Sequence, residues 1–126
     1  MATILCWPDF TAATEPVEGK FVLLRWRDTD YLLFATASQY RYHNQMVAQF
    51  LGQHGIRKHW VGGDRLVWDD EELEVRGGGK FRLDPEARTL SVWDRSTAYG
   101  PFDAAQVRTQ IAAEGSPWQG FEVKSD

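Results

Sequence analysis

Two apolar runs separated by a short polar segment constrain the fold of this chain more than any other feature. Residues 20–26 (KFVLLRW) and 31–35 (YLLFA) are rich in aliphatic and aromatic side chains, which is typical of β-strands. The residues between them, 27–30 (RDTD), have the composition of a turn. The pattern therefore predicts a β-hairpin.

Two helices and several further strands are predicted around this hairpin. Ser38 can cap a helix that runs to about Gln53 and stops at Gly55, and Asp103 can cap a second helix that ends near Gly115. The other strand candidates are 3–7, two short segments around the Gly62-Gly63-Asp64 turn, part of 71–75, 80–83, 89–93 and 121–123. Strands outnumber helices and mostly form hairpins, so we expect an α+β fold: a single mixed, largely antiparallel β-sheet flanked by two helices.

Length and composition limit the class of protein. A chain of 126 residues that is 43% hydrophobic fits a single domain, 1–126, and is too apolar to be mainly disordered. No apolar run approaches the ~18 residues of a membrane helix, and the first ten residues lack a secretory signal's basic start. We therefore expect a cytoplasmic protein without membrane contact. A lone Cys6 excludes an internal disulfide and a cysteine-based zinc site.

Charge argues against nucleic acid as the main partner. The 14 basic and 18 acidic residues give a net charge of −4, and the basic residues are scattered rather than gathered in a stripe. The acidic run 69–72 is expected on a solvated loop rather than at a metal site. The six tryptophans are expected in the core or on sheet faces. We expect neither a metal nor another cofactor.

His43 has the most suggestive position of the three histidines. In the predicted helix it shares a face with Met46, Val47 and Phe50, so it points toward the protein body near the helix N-terminus. There the helix dipole disfavours the imidazolium and attracts anions. A neutral imidazole can accept a proton or attack phosphorus. The alternative is an ordinary structural histidine.

Two other segments can approach an anion through their backbones. Three consecutive glycines at 77–79 can point N–H groups at a ligand, although the run taken by itself favours a β-bulge or strand bend. Residues 96–100 (STAYG) offer hydroxyls and free amides after a strand, and the alternative there is a polar connection.

Taken in chain order, these segments form a recognisable series. Its members are ILCWPD at 4–9, GKFVLLR at 19–25, Tyr42-His43, GGGKF at 77–81 and STAYGP at 96–101. The series resembles the motifs of the Janus family, in which the last two read Gly-Gly-Gly-Arg-Ile and Ser-x-Ala-Tyr-Gly-Pro. The resemblance covers most of the chain, and the spacing between the last two motifs fits without a gap.

The resemblance implies a mixed sheet with helices packed against it, and removal of phosphate from phosphohistidine in proteins without a metal. His43 would be the catalytic histidine, Lys20 would hold the phosphoryl group, and Lys80 would take the place of the family's arginine. The other implied phosphate contacts are the Gly79 backbone, Ser96 and the amides of Thr97 and Ala98. The partner would be a phosphohistidine-containing protein, and we expect a monomer.

The chain departs from the family pattern at three places. Asn44-Gln45 follow the histidine where the family has Ala-Asp, and Lys80 cannot form an arginine's bidentate fork to phosphate. The segment 57–75 is longer, and its VGGDRL sequence at 61–66 is a competing match that makes Arg65 the alternative anion-binding residue. Three functions are candidates for this chain: a phosphatase, a non-catalytic phosphate- or phosphoprotein-binding module of the same fold, and a single-strand nucleic-acid binder. The net negative charge disfavours the nucleic-acid binder.

Overall fold

The structure is a computed structural model that describes residues 2–125; Met1 and Asp126, the ends of the expected 1–126 domain, lie outside the described residues. Within them, eight strands and two helices follow one another. The strands are β1 (Ala2–Trp7), β2 (Val17–Trp26), β3 (Thr29–Thr36), β4 (Lys58–Val61), β5 (Arg65–Trp68), β6 (Leu73–Asp84), β7 (Thr89–Trp93) and β8 (Glu122–Ser125). The helices are α1 (His43–Gln53) and α2 (Ala104–Ala112).

Six of these strands form one mixed sheet in the order β1-β3-β2-β6-β7-β8, while β4 and β5 form a separate two-stranded sheet. The inner pairs β3–β2, β2–β6 and β6–β7 are antiparallel, and the outer strands β1 and β8 pair in parallel with their neighbours. The predicted α+β class is therefore confirmed. The predicted hairpin is the β2–β3 pair near the middle of the sheet.

Both faces of the sheet are buried, and this explains the continuous apolar run in β2. Phe21 and Leu23 face one core, Val22 and Leu24 face the other, and all four are fully buried. A strand covered on both sides needs apolar residues at every position. The helix residues in the two cores are Val107 and Ile111 of α2 on one side, and Met46, Val47, Phe50 and Leu51 of α1 on the other.

Helix α1 begins later than predicted, and the assignment of Ser38 as its cap is wrong. Ser38 lies in a turn, and His43 is the first helical residue, with Tyr42 as N-cap. The side-chain oxygen of Gln45 accepts hydrogen bonds from the backbone N–H groups of Arg41 (2.9 Å) and Tyr42 (3.0 Å). A glutamine three residues after the N-cap commonly closes a helix start in this way.

Helix α2 begins as predicted but ends sooner. Asp103 is its N-cap, and its carboxylate accepts hydrogen bonds from the N–H groups of Ala105 (2.9 Å) and Gln106 (3.4 Å). The helix ends at Ala112 rather than near Gly115. Within residues 2–125, neither helix has the length and apolar character that a membrane crossing requires.

The three glycines lie inside one long strand, so the bulge interpretation is confirmed. Strand β6 runs through them, and its register against β2 shifts at this point, which marks a β-bulge. A Cβ on Gly77, where φ is +106°, would collide with the carbonyl group of Pro101, and one on Gly78 would collide with the carbonyl oxygen of Phe21. Glycine is needed here because other backbone segments approach β6 closely.

We expect Gly77→Ala to lower the free energy of unfolding by at least about 2 kcal/mol, because both its φ and the nearby Pro101 exclude a Cβ. Gly52→Ala is the matched control. Gly52 lies in α1 with only the Lys58 ammonium near its missing Cβ, at 3.6 Å, so this change should be neutral or stabilising by up to about 1 kcal/mol. Urea unfolding measures both values. Equal effects would contradict the packing argument.

Candidate functional site

His43 lies where the start of α1 contacts β6. His43 is 9% exposed, and its Nε2 is 2.9 Å from the carbonyl oxygen of Gly79. A carbonyl oxygen can only accept, so in the neutral ring Nε2 carries the proton and Nδ1 keeps its lone pair. A Cβ on Gly78 would lie 3.1 Å from the imidazole Cδ2. The glycine run therefore also makes room for this ring.

The surroundings of His43 favour its neutral form. Burial is the main cause of a pKa lowered from the ordinary value of 6.5, and the positive charges of Lys20 and Lys80 lower it further. The hydrogen bond to Gly79 and the negative charge of Asp94 act in the opposite direction but do not outweigh burial. At pH 7 the ring is therefore neutral and offers an unprotonated Nδ1.

Lys20 and Lys80 lie directly opposite each other on β2 and β6. They alternate with Phe21 and Phe81 of the core under α2, so both lysine side chains project to the α1 side, where His43 lies. Like charges directly opposite on antiparallel strands destabilise a sheet. An anion bound between the two ammonium groups would remove that repulsion, so the pair is suited to anion binding.

Asp94 is a charged residue of this site that the sequence analysis missed. Its Oδ2 is 3.3 Å from Nζ of Lys80, and both side chains are about half exposed. Hydrogen bonds from the Arg95 N–H and from Lys80 lower the pKa of the Asp94 carboxyl. The clue in the sequence is weak, because Asp94 reaches Lys80 only through the pairing of Trp93 with Lys80 between β7 and β6.

Ser96 is part of the loop's internal structure. It is 2% exposed, its N–H donates to the carbonyl oxygen of Gly78 (2.9 Å), and its Oγ accepts from the Tyr99 N–H (3.1 Å). These bonds fix the loop onto β6 beside the His43 contact. Thr97 and Ala98 are exposed, and within residues 2–125 no hydrogen bond involves their amides. Those two N–H groups are free to meet a ligand.

The competing glycine motif serves a different purpose. Gly62-Gly63, both with positive φ, belong to the turn between β4 and β5, and Arg65 is exposed at the start of β5. Asn44 fastens this turn to α1, since its Nδ2 donates to the carbonyl oxygen of Asp64 (2.9 Å). Asn44 and Gln45, at the positions where the similar Janus motif has Ala-Asp, therefore both have structural contacts, Asn44 to the hairpin and Gln45 to the helix start.

The acidic run lies in the β5–β6 connection, as expected. The Asp70 carboxylate accepts hydrogen bonds from Nε1 of Trp26 and from the N–H of Glu72, both at 2.9 Å. In the part of the chain that the structure describes, no three His, Cys, Asp or Glu side chains form a group that could hold a metal ion. Of the tryptophans, Trp118 is fully buried and Trp60 is 43% exposed on β4.

The charged groups of the site reach the surface, because Lys80 and Asp94 are about half exposed, whereas His43 is nearly buried. Two grooves in the described structure lie elsewhere: one of about 530 Å³ between α1 and β4, and one of about 360 Å³ among charged side chains near the β2–β3 turn. Neither is lined by His43, Lys20 or Lys80. The ammonium of Lys80 and the carboxylate of Asp94 are therefore accessible from solvent.

Comparison with protein-family models gives no match to this chain, and comparison with curated proteins gives none either. The Janus-like interpretation therefore rests on the short motifs and on the way their residues come together in the structure.

We expect an NMR titration to give His43 a pKa below 6.5, because burial and two neighbouring ammonium groups oppose protonation. Lys20→Met should raise that pKa, since it removes a positive charge, and Asp94→Asn should lower it, since it removes a negative one. Lys124→Met on the edge strand β8 should leave it unchanged, because Lys124 is not among the charges that shift the pKa of His43. A His43 pKa at or above 6.5 in the unmodified protein would contradict this description of the site.

Proposed function

We propose that this protein is a metal-independent phosphatase that hydrolyses phosphohistidine, or a related phosphoramidate, in proteins. The observation that carries the proposal is the combination of a neutral His43, with its Nε2 bonded to Gly79, and the opposed pair Lys20–Lys80 on the same side of the sheet. The motif resemblance to the Janus family supports the same chemistry. The substrate would be a phosphohistidine-containing protein, met by a monomer in the cytoplasm.

Charge neutralisation is the main task of such a site. The P–N bond of a phosphoramidate is intrinsically labile, so positioning and electrostatic stabilisation supply most of the catalysis that is needed. Lys20 and Lys80 would bind the phosphoryl oxygens, and the amides of Thr97 and Ala98 would add donors without charge. These contacts would position the phosphoryl group and neutralise the charge spread over its oxygens in the transition state.

His43 can act by two routes that share the same starting state. In the first, its Nδ1 bonds to phosphorus as the substrate's P–N bond breaks. The electron pair of the broken bond passes to the leaving nitrogen, and the substrate imidazole, which already carries a proton on its other nitrogen, departs neutral. Water later hydrolyses the new bond between phosphorus and Nδ1. In the second, Nδ1 takes a proton from a water molecule as the water oxygen bonds to phosphorus and the substrate's P–N bond breaks, with the electron pair of that bond passing to the leaving nitrogen. Both routes yield inorganic phosphate and an unphosphorylated histidine side chain, and both need a neutral ring oriented through Nε2.

A phosphate- or phosphoprotein-binding module without turnover is the second candidate. One observation favours it: Gln45 stands where the family has an acid, and its side-chain oxygen caps α1. Position 45 therefore supplies no carboxylate that could orient the site or change the pKa of His43. Binding without hydrolysis would separate this candidate from the enzyme.

We expect His43→Asn to lower phosphohistidine hydrolysis at least about 100-fold, because it removes the only proposed base or nucleophile. The assay uses a phosphohistidine peptide in the presence of EDTA. The variant should stay folded by circular dichroism and lose about 1 kcal/mol of stability with the Gly79 hydrogen bond. His59→Asn, on the exposed strand β4, is the matched control and should keep full activity.

Near-normal hydrolysis by folded His43→Asn would refute the proposed mechanism. A wild-type protein that is inactive in EDTA and reactivated by Mg²⁺ or Zn²⁺ would refute metal independence. A wild-type protein that binds inorganic phosphate saturably but hydrolyses no phosphohistidine would favour the binding module.

We expect Lys20→Met to weaken transition-state stabilisation by about 2–4 kcal/mol in kcat/KM, because it removes a charge-assisted contact to the phosphoryl group. Lys80→Arg should be tolerated or increase kcat/KM, since arginine keeps the charge and adds a second donor. Arg65→Ala should leave kcat/KM unchanged. A damaging Arg65→Ala with a silent Lys80→Ala would show that Arg65, beside Gly62-Gly63, binds the phosphoryl group instead of Lys80.

A further inference from the structure

We propose that Asp94 sets the substrate class of this site by selecting phosphoryl groups attached to a positively charged nitrogen over phosphate esters. The class consists of N-phosphorylated side chains with a protonated, cationic nitrogen, such as the imidazolium form of phosphohistidine. The inference rests on the proposed function, because it uses the same anion site.

The ion pair between Asp94 and Lys80 puts a carboxylate beside any phosphoryl oxygen that binds Lys80. The two charged groups are 3.3 Å apart and about half exposed. Exposed ion pairs of this kind contribute little to stability, so a ligand can readily take over the contact to Lys80. The carboxylate then remains next to the ligand, and its negative charge needs a nearby positive charge to offset it.

The local charge balance favours a ligand that carries its own positive charge. Lys20 and Lys80 supply two positive charges, Asp94 supplies one negative charge, and His43 is neutral. A phosphoryl dianion alone leaves this cluster with an excess of negative charge. A dianion joined to a cationic nitrogen balances it, provided that the nitrogen lies near Asp94.

Asp94 lies just after the end of β7, in a backbone conformation that few residue types adopt readily. Its φ of +66° lies in the left-handed region, which asparagine, aspartate and glycine adopt most readily. The neighbouring Arg95 N–H also lowers the pKa of the Asp94 carboxyl. The carboxylate therefore stays negatively charged at neutral pH beside a ligand that engages Lys80.

The chemistry of the leaving group gives the carboxylate a direct role. In phosphohistidine, a proton on the ring nitrogen that does not carry phosphorus makes the imidazole cationic and turns that N–H into a donor. Asp94 can accept this hydrogen bond and stabilise the cation. When the P–N bond breaks, its electron pair passes to the leaving nitrogen and the imidazole departs neutral. The oxygen of a phosphate ester has no such charge, so Asp94 only repels it.

The test compares two phosphonates that the enzyme cannot hydrolyse. Aminomethylphosphonate carries an ammonium group beside the phosphonate, and methylphosphonate does not. By calorimetric titration, the wild-type protein should bind aminomethylphosphonate about three- to fivefold tighter. Asp94→Asn should lose this preference and bind methylphosphonate more tightly than the wild type does. Asp69→Asn, an equal charge change on the exposed β5–β6 connection, is the matched control and should keep the preference.

Each outcome supports or overturns the inference. An unchanged preference in Asp94→Asn overturns it, and so does the absence of any preference or binding in the wild type. Asp94→Gly, which also tolerates the left-handed backbone, replaces the asparagine variant if that one fails to fold. A wild type that hydrolyses phosphohistidine but shows no Asp94-dependent preference refutes the inference alone. A wild type with the preference but no hydrolysis refutes the phosphatase and leaves the selectivity standing.

Discussion

The hydrogen bond between His43 and Gly79 joins the two parts of the molecule on which the candidate site depends. It links the first residue of α1 to the centre of β6, 36 residues further along the chain. The bond fixes the ring orientation and its tautomer together, because the carbonyl oxygen demands a proton on Nε2. The glycine run in β6 permits this contact, since a side chain at Gly78 would press against the ring.

The rest of the site follows from the pairing of β2 with β6. That register places Lys20 opposite Lys80, and the register of β6 with β7 brings Asp94 to the second lysine through Trp93. Repulsion between Lys20 and Lys80 destabilises the sheet, and the negative charge of Asp94 offsets part of that repulsion. Charge that a strand pairing would normally avoid is therefore concentrated beside a neutral imidazole.

Sequence patterns predicted the elements that have a local signal in the chain and missed the features that depend on one particular side-chain contact. The apolar runs of β2 and β3 and the Asp103 cap of α2 were predictable because each is a local signal. The start of α1 was not, since the Gln45 side chain closes the helix start and Ser38 only looks like a cap. Asp94 was missed for the same reason: its contact with Lys80 exists only through the β6–β7 register.

Lysine at position 80, where the similar Janus motif has arginine, has a physical consequence once Asp94 is included. An arginine could bind the carboxylate with one edge of its guanidinium and a phosphoryl oxygen with the other. Lysine is a point charge, so the two anions compete for it. A site built on Lys80 and Asp94 would therefore make fewer strong contacts to a bound anion. Its affinity would depend more on whether the ligand itself carries a positive charge. If the site acts on phosphoramidates as proposed, the leaving group would govern substrate choice as much as the phosphoryl group does.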